Sequence, residues 1–493
     1  MRPCACKAGT RQRGGGSPPV PISPAYRPDP RFMKLGPEFA DPVRPAAFPQ
    51  AIIRFRNDRA AATVGLDGLA ENEWIAHFAR FEPLPDNQPE PLAMRYHGHQ
   101  FRVYNPELGD GRGFLFAQLR EAGTDRLLDL GTKGSGQTPY SRFGDGRLTL
   151  KGAVREVLAS EMLEALGVPT SRTFSMIETG EELERNDEPS PTRSAVLTRL
   201  LYSHIRFGTF QRHAFHDRAD LIAKLVDHVV ELYYPELADT EGAARAAALL
   251  AAVAERSARL CARWMAAGFV HGVLNTDNLN LTGESFDYGP WRFLPRLDPG
   301  FTAAYFDRTG LYAYGRQPEA VFWNLSQLGG ALTLLAEQDP LIEALNRFAP
   351  AYERELVTAV LARLNLRARA LEEDAALVNA ALALLARSGE ALRFEPLFFD
   401  WFGGDSDRAL GGARADLYAG EAAAEFVGRI GGYEAAAPAL LAHPYFANAD
   451  PEEMLIDEVE AIWTPIAEAD DWSAFHGKIA RVRRAGEAYG LGR

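Results

Sequence analysis

The run His271-Gly-Val-Leu-Asn-Thr-Asp-Asn278, followed by Asp287-Tyr-Gly289, constrains this chain more than any other feature. An acid beside an amide, then a second acid in an Asp-aromatic-Gly turn, is how kinase-like folds hold a divalent metal against a triphosphate. Asn278 and Asp287 offer the hard oxygen donors that Mg2+ or Mn2+ takes. In a kinase catalytic loop the acid sits two residues after the His, and an Asn follows about five residues later. Here Val273 occupies the acid's place, and Asp277 stands immediately before Asn278. The frame belongs to a nucleotide enzyme, but its acid has moved. That displacement argues against plain phosphorylation and for another reaction on the same nucleotide.

The chain ahead of this segment reads as short strands with one packed helix. Residues 113–119 and 126–133 predict a hairpin. Val154, Leu158, Met162 and Leu166 recur every fourth position, which predicts a helix over 150–166, ended by Gly167 and Pro169. Residues 173–177 and 195–201 predict two more strands around an acidic loop at 181–191. From about residue 214 the pattern turns helical, with helices expected over 217–234, 241–267, 318–336, 340–364 and 371–386. The fold class expected is α+β, a kinase-like two-lobed fold with a helical C-terminal extension. Residues 33–205 form the smaller lobe and its N-terminal extension, 206–390 the helical larger lobe with the metal site, and 391–493 the extension.

Residues 1–32 are rich in Pro, Gly and Arg and carry no acid before Asp29, so a disordered tail is expected there, with Met33 as the effective start. Net charge is -13, which disfavours nucleic acid as a partner, and no apolar run approaches the roughly 20 residues that span a bilayer. Three cysteines, Cys4, Cys6 and Cys261, make no disulfide framework and point to a reducing cytoplasm.

Three further groupings carry chemistry. Leu108-Gly-Asp-Gly-Arg-Gly113 is a turn whose backbone could approach a phosphate while Arg112 donates a fork of hydrogen bonds; its alternative reading is plain hairpin punctuation. The run from Thr132 to Arg147 places Lys133 at a strand end, then a Gly-rich turn, then a second Gly-Asp-Gly-Arg. A phosphate-contacting strand lysine wants an acid on a helix, and Glu156 is the candidate. Arg199 and Arg206 flank the lobe junction and could clamp a polyphosphate. Both are expected to be exposed, so that removing either leaves the fold intact.

Together with Tyr96-His-Gly-His-Gln-Phe101, Lys133-Gly-x-Gly-x-Thr-Pro-Tyr-Ser-Arg142, Gly144-Asp-Gly-Arg147, Arg155-Glu-x-Leu-Ala-Ser-Glu161, Arg206-Phe-Gly-Thr-Phe210 and Phe286-Asp-Tyr-Gly-Pro290, these runs resemble the selenoprotein O (YdiU) family. The match extends from about Tyr96 to Pro290. It implies a kinase-like fold that binds ATP in a flipped orientation and transfers AMP to protein hydroxyls, with UTP and Mn2+ also used by some members. By the same resemblance, Gly109, Gly111, Arg112, Lys133, Asp145, Gly146, Arg199, Arg206 and Asp287 contact nucleotide. Asp277 is the implied general base, Asn278 and Asp287 the implied metal ligands, and Glu156 the partner of Lys133. The chain departs from many relatives in ending Tyr489-Gly-Leu-Gly-Arg493 without a thiol nearby, so a C-terminal redox switch is not among the expectations carried over from the resemblance. Residues after about 390 match only loosely. Conventional phosphotransfer and a non-catalytic nucleotide-binding scaffold are the competing readings.

Overall fold

The structure is a computed structural model, and it describes residues 23–186 and 188–492. It is mixed α and β. An eight-stranded antiparallel sheet has the path Ala40–Pro42, Leu92–Met94, Leu115–Arg120, Leu127–Lys133, Thr192–Leu201, Arg172–Leu183, Ile52–Arg56, with Leu148–Thr149 pairing onto Thr192–Leu201. Both faces are buried, and successive residues take opposite sides as the pleat requires. Leu115, Leu127, Met176 and Leu197 face one core, while their neighbours Phe116, Leu128, Ile177 and Val196 face another.

The first core is covered by the helix Leu150–Ala165, which begins because the Thr149 hydroxyl accepts from the Gly152 N–H at 3.1 Å. Its Val154, Val157, Leu158 and Met162 are all buried. The helix Glu71–Phe78 covers the second core: Trp74 stacks on Phe174 at 5.0 Å and donates its indole N–H to Ser175 Oγ at 2.9 Å.

Helices make up most of the remaining chain. Ala219–Tyr233, Gly242–Ala266, Gln317–Leu332 and Leu371–Ser388 lie within a few residues of their expected spans. The single helix expected over 340–364 is two, Gln338–Leu345 and Phe348–Arg363. Pro350 explains the break: without an N–H it is tolerated only in a first turn, so a helix must start just before it. The tail expectation also needs correction over its described part. Pro28 bridges Leu119, and Tyr26 and Phe32 are buried. Residues 1–22, with Cys4 and Cys6, lie outside the described residues. Cys261 is a buried free thiol. Among the described residues no helix is long and apolar enough to cross a membrane.

Two small pairings position the chemistry. Phe269–Val270 and Arg292–Phe293 form a short antiparallel ladder that closes the base of the 271–291 loop. The hairpin Gly98–Gln100 and Val103–Asn105 turns through Phe101 and Arg102, both at positive φ (50° and 64°). Non-glycine residues seldom adopt that conformation. It is held here by the Phe101 N–H donating to Asn275 Oδ1 at 3.0 Å.

The Gly-rich turn after Leu108 is packed as tightly as the core. A Cβ at Gly113 would lie 2.1 Å from the carbonyl oxygen of Thr132 on the neighbouring strand. We expect Gly113→Ala to lose about 1–3 kcal/mol of stability, measured by chemical denaturation.

Candidate active site

The strand register sets the floor of the site. Leu197 pairs with Lys133 and Arg199 with Gly131, so Lys133 and Arg199 project from the same face on adjacent strands. Above them the helix Leu150–Ala165 presents Glu156. Lys133 Nζ lies 2.5 Å from Glu156 Oε2, and Arg199 Nη1 lies 3.2 Å from Glu156 Oε1. Asp287 enters from the 271–291 loop. Its Oδ1 accepts from Arg199 at 2.7 Å and its Oδ2 from Arg206 at 2.7 Å, with Lys133 Nζ at 3.6 Å. The Arg206 guanidinium also lies over the rings of Tyr96 and Phe286, at 4.7 and 4.8 Å from their centroids.

Arg199 and Arg206 are 3% and 4% exposed, which corrects the expectation that they sit on the surface. Strand and loop bury them because their charges are met by buried carboxylates. Burial alone would raise the Asp287 carboxyl, yet Arg199, Arg206 and Lys133 together hold it well below the usual carboxylate range. Burial lowers the Lys133 ammonium, opposed by Glu156 and Asp287.

Asp277 is held differently. Its backbone carbonyl accepts from Arg206 Nη1 at 2.5 Å, but its side-chain Oδ1 is buried without a hydrogen-bond partner. Burial raises its carboxyl to about 6, with Arg206 opposing the shift. A carboxylate so placed accepts a proton more readily than an ordinary one. The hairpin at 98–105 forms the adjacent wall. His99 N–H donates to Thr276 Oγ1 at 2.7 Å, and a Cβ at Gly98 would lie 3.1 Å from Asp277 Oδ1.

Gly109, Gly111, Arg112, Asp145 and Gly146 line one cleft of about 770 Å³ with Lys133, Arg199, Arg206, Asp277, Asn278 and Asp287. Glu156 sits behind Lys133. The first Gly turn is pinned by its own carbonyls: Thr138 Oγ1 donates to Asp110 O and Ser141 Oγ to Gly111 O, both at 2.5 Å. In the second turn Gly146 has φ of 70°, and a Cβ there would meet Gly136 at 2.2 Å. Asp145 is engaged by Arg185 at 2.8 and 3.1 Å.

The donor chemistry fits a hard divalent ion. Asn278 spends its amide N–H on Val273 O at 2.9 Å, which leaves its Oδ1 as a donor. Each Asp287 oxygen accepts one arginine hydrogen bond and keeps a second lone pair. Among the described residues no three His, Cys, Asp or Glu side chains cluster to form a metal cage. Mg2+ commonly uses only one or two protein carboxylates, completed by phosphates and water.

Three residues of the site had no role in the sequence reading. Asp110, 3.5 Å from Arg206, accepts the Met94 N–H at 3.0 Å; it was hidden inside an Asp-Gly read as a turn. Tyr96 lies within a quoted run, but nothing in sequence announces a ring beneath an arginine. Asn275 Oδ1 accepts from both Phe101 N–H and Tyr312 OH, and so joins the hairpin to the loop carrying Asp277.

Comparison with known proteins identifies the family. The chain is 45% identical over 480 residues to the protein nucleotidyltransferase YdiU of Synechococcus elongatus, across 93% of this chain and 95% of that one. It is 50% identical over 341 residues to the protein of the same name from Synechocystis sp., across 69% and 70%. It is 42% identical over 363 residues to that of Pseudomonas putida, across 73% of each. A family model described as "Protein adenylyltransferase SelO" matches residues 25–400. The chain, an enzyme of the protein nucleotidyltransferase class, belongs to the SelO family of protein adenylyltransferases.

Proposed function

We propose that the chain transfers AMP from ATP to Ser, Thr or Tyr hydroxyls of other proteins, with the triphosphate entering the cleft first. The observation that carries this reading is the burial of Lys133, Arg199 and Arg206 at 5%, 3% and 4% exposure, while Asp277 keeps a free oxygen beside them. The β and γ phosphates bear most of the nucleotide's charge and belong with those buried cations, which leaves the α-phosphorus toward Asp277. The carboxylate of Asp277 takes the proton from an acceptor hydroxyl. The hydroxyl oxygen bonds to the α-phosphorus, the bond to the β-phosphate oxygen breaks, and diphosphate leaves. Asn278 and Asp287 would hold Mg2+ or Mn2+, which supplies neutralisation of phosphate charge. The Gly109–Arg112 and Asp145–Gly146 turns would bring backbone and Arg112 against the nucleotide.

In this reading the architecture is kinase-like. Residues 33–205 act as the smaller lobe, 206–390 as the larger, and 391–493 as the extension. The strand-lysine and helix-glutamate pairing, and the loop closed by its two-residue ladder, support it. The cytoplasm is the setting we assign, because three cysteines in a chain of 493 residues make no disulfide framework.

ATP labelled separately at the α and γ phosphates tests the reaction. Label from the α position should appear on protein; γ label on protein would instead establish a kinase, and no transfer a scaffold. UTP with Mn2+ run in parallel measures base preference.

The two acids should separate in function. Asp277→Ala is expected to retain ATP binding in Mg2+ and lose transfer, whereas Asp287→Ala should lose metal-dependent binding, as read by calorimetry. Unchanged affinity in the Asp287 variant would remove it from the ligand set. Arg206→Ala leaves a buried carboxylate short of a cation, a change that costs about 3–5 kcal/mol. A lowered melting temperature should therefore accompany its loss of transfer.

A further inference from the structure

The C-terminal helices Ile456–Ala469 and Ser473–Tyr489 lie beyond residue 400, where the family match ends, and far in sequence from the cleft. They nevertheless grip the two elements that carry its charge network. Arg483 forms a two-pronged pair with Glu161, its Nε and Nη2 each 2.7 Å from a carboxylate oxygen, and Glu161 is only 3% exposed. Glu161 follows Glu156 by five residues on one helix, which places the two on faces about 140° apart. Glu156 faces Lys133, and Glu161 faces the C-terminal pair.

The start of the same helix is tied as well, by Lys151 to Glu460 at 2.7 Å. Near its end, Gly486 permits close approach: a Cβ there would lie 3.1 Å from Ala165 Cα. Glycine within a helix costs about 1 kcal/mol relative to alanine, so close packing is what it provides. The neighbouring strand is gripped at its other end. Arg193 donates to Ile466 O at 2.9 Å and pairs with Asp470 at 2.7 Å, six residues before Arg199 on the same strand. Arg54, on the edge strand, reaches Asp470 too, at 3.0 Å. The helix pair is itself locked by fully buried Lys478, 2.6 Å from Glu458 and 2.7 Å from Glu452.

We infer that this C-terminal pair is a built-in clamp that sets the distance between the Glu156 helix and the Arg199 strand, with Arg483 and Glu161 as positioning residues for nucleotide binding. The inference rests on the nucleotide-site reading above. Lys133 and Arg199, which also hold Asp287, meet Glu156 only while that helix stays seated, and a charged pair loses its value steeply with separation at low dielectric. The clamp seats the helix through contacts within one chain.

The test is binding of ATP with Mg2+ to the full chain, by calorimetry well below each variant's melting temperature, with kinetics alongside. Arg483→Ala and Glu161→Ala should each weaken nucleotide binding by about tenfold or more, within the usual range of coupling between linked sites. Their effect should fall on KM for ATP rather than on KM for the acceptor. The exchanged pair, Arg483→Glu with Glu161→Arg, should recover most of the loss. Lys151→Gln cuts a partly exposed tie at little cost to folding and should weaken binding in the same direction, which keeps the test open if Arg483→Ala does not fold. Arg414→Ala breaks a pair with Asp400, 2.6 Å long, elsewhere in the C-terminal region and should leave nucleotide binding unchanged. A folded Arg483→Ala or Lys151→Gln chain that binds like the unaltered one overturns the clamp, as does an equal loss in Arg414→Ala. Failure of the unaltered chain to bind ATP overturns the nucleotide-site reading, and the clamp with it.

Discussion

The carboxylate of Asp287 is the charge on which the site depends. It sits in the left-handed region at φ 61°, where only a surrounding structure that fixes it can keep a non-glycine residue. That structure is the pair of arginines and the lysine around it, drawn from two adjacent strands and from the residue that opens the next helix. Sheet, helix and loop are therefore joined by electrostatics at a single carboxylate, and each partner would be costly to bury without the others.

Such a network is a compromise between stability and binding. On the proposed reading, an incoming triphosphate competes with Asp287 for Arg199 and Arg206, and a divalent cation competes with those arginines for Asp287. Each exchange trades one ion pair for another at a similar depth, so nucleotide can enter without stranding a buried charge. A site of exposed lysines would bind with less reorganisation but would hold the phosphates in no fixed direction.

What the sequence revealed follows from how local each feature is. The helix over 150–165 and the strand ending at Lys133 were legible because apolar spacing and caps are written within a few residues. The run from His271 to Asp287 was legible because its residue types are chemically unusual together. The burial of Arg199 and Arg206 was not, since it depends on one carboxylate, Asp287, that lies 88 positions from the first and 81 from the second. Residues 23–32 read as tail because their Pro and Arg content hides the two rings, Tyr26 and Phe32, that seat them. The break near Pro350 was missed for a smaller reason, a helical period that runs unbroken across it.

Gly98 gives one feature a different meaning. Its place in a strand suggests a residue chosen for backbone freedom, yet its φ is ordinary and the absent methyl group is what counts. A side chain there would rest against Asp277 Oδ1, a buried oxygen without a hydrogen-bond donor. The omission lets the hairpin backbone close directly onto the acid, where a Cβ would lie 3.1 Å from both Asp277 Oδ1 and Leu108 Cδ1. The burial that raises the Asp277 carboxyl therefore rests partly on a residue with no side chain at all.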